Sequence, residues 1–101
     1  MDEHEQYVRS KWEKIGEYRY GGRTRYVYLT DVRREFSAQT EAEVWSAAAE
    51  YTRAHEQEIA DVEEEISEHE AIQVLGGDAP MKRTLARLES VKAELLKGWK
   101  A

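Results

Sequence analysis

The chain of 101 residues contains no cysteine. Disulfides, thiolate metal sites and cysteine nucleophiles are therefore excluded. Proline occurs once, at Pro80. No apolar run approaches the roughly 20 residues of a membrane-spanning helix. The opening Met1-Asp2-Glu3-His4-Glu5 lacks the basic-then-apolar order of a secretory signal. The expectation is one domain, residues 1–101, in the cytoplasm and without membrane association. Mean hydropathy is low, at −0.84. Three tryptophans, six tyrosines and a regular apolar period nevertheless argue for a fold rather than disorder.

Catalytic signatures are also missing. Ser37, Ser46, Ser67 and Ser90 stand in no recognisable motif, and nothing resembling a phosphate loop follows Gly21-Gly22. His55 and His69 would lie about 21 Å apart on a helix, too far to share an ion. Each is read as a helix–helix contact residue, its ring satisfied by a carboxylate such as Glu58 or Glu65. The carboxylates of 56–70 lack the inward Glu-x-x-His pairs of ferritin-like centres. No catalytic, cofactor-binding or metal-binding residue is therefore assigned, and the expectation is a protein that is not an enzyme and carries no cofactor.

What is present is organised around residues 40–73. Trp45, Ala48, Thr52, His55, Ile59, Val62, Ile66, His69 and Gln73 recur at alternating steps of three and four, the signature of a long helix with a narrow seam. Thr40-Glu41-Ala42-Glu43 reads as its capping box, with the Thr40 hydroxyl on the Glu43 amide and the Glu43 carboxylate reaching back. Alanines around Trp45 and Tyr51 suit close packing of the first half on a sheet. Gly76-Gly77-Asp78-Ala79-Pro80 then predicts a break: glycine ends one helix, Asp78 caps the next, and Pro80 sits in its first turn. A second helix over 80–99 carries Met81, Leu85, Leu88, Lys92, Leu95 and Trp99 at the same alternating steps. Pairing Gln73 with Met81, His69 with Leu85, Ile66 with Leu88, Val62 with Lys92, Ile59 with Leu95 and His55 with Trp99 keeps one constant index sum, as an antiparallel helical hairpin requires.

Upstream, Trp12–Tyr20 and Arg23–Thr30 read as a β-hairpin about a tight Gly21-Gly22 turn. That turn would set Tyr18 opposite Arg25 and Gly16 opposite Val27; a bulge at Gly16 is the alternative, and it would shift this pairing by one. One face would then carry Trp12, Tyr18, Tyr20, Val27 and Leu29, and this is the expected core side. The other would carry Ile15, Glu17, Arg19, Tyr26 and Tyr28. Arg33–Ser37 is a candidate third strand. Asp2 and Glu5 fit a capping box for a short N-terminal helix, although the segment equally fits an extension of the first strand. The fold class expected for residues 12–37, 40–73 and 80–99 is α+β, a small antiparallel hairpin or three-stranded sheet followed by two helices.

Charge is unevenly spread. Residues 1–39 hold 7 acids and 8 bases, residues 40–79 hold 12 acids and one base, and residues 80–101 hold 2 acids and 6 bases. An acidic helix beside a basic one points to a partner of stated charge. The candidate partner-binding face is Glu56, Asp61, Glu63, Glu64 and Glu68, matched to a protein with a basic surface. A homodimer through the helical hairpin, helped by Ile72 and Leu96, is a second possibility. Nucleic acid is a third, through Arg19, Arg23, Arg25, Tyr26 and Tyr28, whose composition suits phosphates and bases.

The stretches EAEVWSAAAEYTR, ADVEEEI and LARLESVKAELLKG resemble small accessory proteins of bacteriophages and other mobile elements. The resemblance implies a class of compact, acidic, non-catalytic proteins that bind a host factor in the host cytoplasm, among them anti-CRISPR inhibitors. It transfers no functional residue.

Overall fold

A computed structural model describes residues 2–21, 24–74 and 79–100, with the side chains of residues 20, 24, 73, 74 and 79–81 outside that description. Its fold is α+β. The elements in chain order are α1 (Glu3–Lys11), β1 (Ile15–Tyr20), β2 (Thr24–Leu29), a 3-10 turn (Thr30–Val32), β3 (Arg34–Ala38), α2 (Glu41–Val74) and α3 (Ala79–Leu95). The strands form one antiparallel sheet in the order β1-β2-β3. Packing divides the chain into two compact units, residues 1–54 with 97–101, and residues 55–96.

The first unit is layered. Asp2 caps α1 by accepting the His4 amide at 2.8 Å. Glu5 does not complete a capping box there; its carboxylate takes the Arg9 guanidinium at 2.8 Å. Val8 from α1, Val27 and Leu29 from β2, and Val44, Trp45, Ala48 and Ala49 from α2 form the core. The alanines let α2 approach the sheet closely, as their placement suggested. Trp12 is buried as expected, but from the end of α1 rather than from a strand. Its indole N–H donates to Thr52 Oγ1 at 3.0 Å, and the Thr52 hydroxyl donates to the Ala48 carbonyl at 2.7 Å. Both buried polar atoms are thereby satisfied.

The hairpin register departs from the sequence expectation by one residue. Tyr20 pairs with Thr24, Tyr18 with Tyr26, Gly16 with Tyr28 and Ile15 with Leu29. Three residues separate the strands, not two; Gly21 takes φ +68°, while Gly22 and Arg23, on which the tight turn also rested, lie outside the described residues. The pairing runs unbroken through Gly16, so the shift comes from the longer connection and not from a bulge there. Side chains alternate with period two, so a one-residue slip moves the whole of β1 to the other face. Val27 and Leu29 remain core residues. Ile15 joins them, and Tyr18 stands on the opposite face, 49% exposed. β3 is present, pairing Val27 with Phe36.

The C-terminal segment returns to this unit. The second helix was expected to reach 96–99, yet it ends at Leu95. Gly98 explains the stop: at φ +71° it is left-handed, and a Cβ there would fall 2.3 Å from a carboxylate oxygen of Asp31. Beyond it, Trp99 bridges to Trp12 as extended backbone, their rings edge to face at 4.9 Å. The Glu13 amide donates to the Gly98 carbonyl at 2.8 Å, and the Lys100 amide to the Lys11 carbonyl at 2.7 Å.

The second unit is a helix pair. In this unit the buried or half-buried positions of α2 are His55, Glu56, Ile59, Val62, Ile66 and His69; those of α3 are Leu85, Leu88, Lys92 and Leu95, followed by Leu96 just past its end. Apart from Glu56 and Leu96 these are predicted seam positions, but Trp99, expected opposite His55, bridges Trp12 instead. His55 meets Leu95 and Glu63 meets Lys92, so the two helices run antiparallel. The Gly76, Gly77 and Asp78 on which the predicted break and its caps rest lie outside the described residues, as do the Gln73 and Met81 side chains.

Candidate functional site

Thr40 starts α2 as expected: the Glu43 amide donates to its hydroxyl at 3.2 Å. From there the 3.6-residue turn decides where each carboxylate points. With His55, Ile59 and Ile66 buried on the seam, Asp61, Glu63, Glu64 and Glu68 are exposed and Glu56 is half-buried. The five do not share one strip. Glu56 and Glu63, seven residues apart, line one flank, where Glu63 meets Lys92 at 3.8 Å. Asp61, Glu64 and Glu68 follow at steps of three and four on the outer side, joined by Glu65. Asp61 accepts from the Gln57 amide at 2.9 Å. Like charges at these spacings repel, each pair weakening the helix by about 0.2–0.5 kcal/mol.

The Arg/Tyr group is divided by the sheet. Direct cross-strand partners share a face, so Arg19 and Arg25 lie together on the face toward α2. Tyr18 and Tyr26 lie on the other, their rings stacked at 4.7 Å, and Tyr28 is on that face too. Tyr18 donates its hydroxyl to Glu35 at 2.6 Å, and this hydrogen bond holds the phenol up at about 12. Arg23 is outside the described residues. Among the described residues, Arg19 and Arg25 therefore do not share one platform with Tyr26 and Tyr28.

Arg19 and Arg25 instead border a cleft of about 200 Å³ at the end of the sheet. Val27, Val44 and Trp45 form its floor, and Glu17 and Glu41 its rim. Arg25 reaches Glu41 at 3.5 Å. Arg9 engages Glu17 as well as Glu5 and lies over the Trp45 ring, 5.0 Å from its centroid. Hydrogen bonds to Glu5 and then Glu17 raise the Arg9 guanidinium further above its ordinary value. No sequence pattern marked this cleft; only the true strand register brings its two arginines side by side.

His55 and His69 each bond a backbone carbonyl. His55 Nε2 donates to the Leu95 carbonyl at 2.6 Å, and His69 Nδ1 to that of Glu65 at 2.8 Å. Among the described residues, no group of three His, Asp or Glu side chains could hold a metal ion. No helix among them is long and apolar enough to cross a membrane. No family model matches the chain, and neither a curated protein nor a solved structure matches it.

Proposed function

We propose that this is a non-catalytic binding protein whose α2 docks a basic surface of a partner protein through Asp61, Glu64 and Glu68, with Glu56 and Glu63 at the margin. One observation carries the reading. The outer strip of α2 holds a run of exposed carboxylates at mutually repelling spacings, where a helix selected for stability alone would intersperse lysine or arginine. Docking offsets that repulsion, and charge complementarity speeds encounter and selects the partner. In its fullest form the proposal is a cytoplasmic inhibitor, carried by a phage, of a host defence or nucleic-acid-handling protein, whose basic groove the strip would occupy in place of phosphates.

The test is affinity capture from a host lysate with the native protein and with D61K/E64K/E68K. The expected result is a basic protein held by the native chain, released by moderate salt and lost with the variant. Capture of the same protein by both would rule out this strip. A second reading, self-association, draws on Ile72 and Val91, which are 45% and 42% exposed in the helical unit. Light scattering across a concentration series separates the two, since a strict monomer removes self-association.

A further inference from the structure

We propose that the cleft between the sheet and the first turn of α2 binds a small oxyanion, with Arg19 and Arg25 as its two guanidinium ligands. This inference is independent of the acidic strip. Its starting point is a like-charge pair: Arg19 and Arg25 are directly opposed across β1 and β2. Like charges in that position weaken a sheet unless an anion lies between them. The flanking partner of Arg25 on β3 is Ala38, which offers no counter-charge.

The cleft already shows where an oxyanion sits. Glu41 presents its carboxylate to Arg25 at 3.5 Å, long for a charge-assisted hydrogen bond, with the Arg25 and Glu41 side chains 35% and 50% exposed. Such an exposed, loosely held pair is readily exchanged for an external ligand. The other rim carboxylate, Glu17, is held by Arg9. A phosphate bridging Arg19 and Arg25 would displace Glu41 and offer each planar guanidinium two acceptors. The volume of about 200 Å³ admits a phosphate group and little more of the molecule bearing it. Two sources share this chemistry, free inorganic phosphate and the phosphate of a mononucleotide.

The experiment is an amide NMR titration of the full chain with inorganic phosphate and, separately, with a nucleoside monophosphate, each against sodium chloride at equal ionic strength. Saturable shifts centred on Arg19, Arg25 and Val44 are expected. Tighter binding of the nucleotide would assign the phosphate to a carrier, and equal binding would assign it to the free ion. R19Q and R25Q should each weaken binding about tenfold or more. R19Q alters an exposed side chain, and an unchanged amide spectrum away from the cleft confirms that it folds. E41Q, which removes the internal competitor, should tighten binding about two- to fivefold, whereas E43Q should leave it unchanged. Shifts no larger than those with chloride would overturn the proposal. So would binding that ignores R19Q, or equal gains from E41Q and E43Q, which would mark a general charge effect.

Discussion

The two units solve the burial problem differently. In the first, α1, the sheet and the start of α2 enclose side chains almost completely: Leu29 is 0% exposed and Trp45 1%. In the second, two helices share one seam, and its most buried aliphatic residues, Ile59 and Ile66, keep 7% and 8%. A seam two helices wide leaves most of each helix in water, so its surface is where charge accumulates. The layered unit holds the closed core, and the helix pair carries the acidic strip proposed to bind. A single helix, α2, serves both, with Ala48 and Ala49 in its first half and the carboxylates in its second.

The comparison breaks most visibly at Trp45. Trp45→Ala should cost about 3–5 kcal/mol, because the cavity opens inside a closed core; denaturant unfolding followed by circular dichroism measures it. Ile66→Ala should cost about 2 kcal/mol, at the low end for such a truncation, because a seam open to water relaxes around the loss. Equal costs at the two positions would erase the distinction drawn between the units. Thr40→Ala should cost about 1 kcal/mol by removing the acceptor for the Glu43 amide, read from the same unfolding curves.

The smallest effect is at the sheet's outer face. The Tyr18 phenol, raised to about 12 by its hydrogen bond to Glu35, favours the neutral form in the folded state. Its contribution to stability is complete below the ordinary value of 10.0 and is lost as pH climbs from there through about 12. Subtracting the ultraviolet titration of Y18F from that of the native chain should give a late phenolate transition. E35Q should bring it back toward 10.0.

Much of this architecture was legible in the sequence. The three-and-four spacing from Trp45 to His69 located every described seam position of α2, since helical period and burial depend on the same geometry. Thr40 was recognisable as a cap because its chemistry is local. The hairpin register was not legible, because it depends on how many residues the Gly21-Gly22-Arg23 connection uses. One residue more in the loop exchanged Tyr18 for Ile15 in the core and set Arg19 beside Arg25. Gly98 could have signalled that α3 ends before Trp99, being a glycine inside the last step of the periodic series. The acidic residues proposed to bind were legible as composition; their division into two flanks follows from the seam positions.

The claim that joins these observations is that the outer strip of α2 meets a basic partner. Amide hydrogen exchange, measured on the protein alone and then with the partner captured from lysate, addresses it most directly. Slowed exchange should appear within residues 56–70 and disappear in D61K/E64K/E68K. Slowing confined to β1 and β2, with residues 56–70 unchanged, would contradict it.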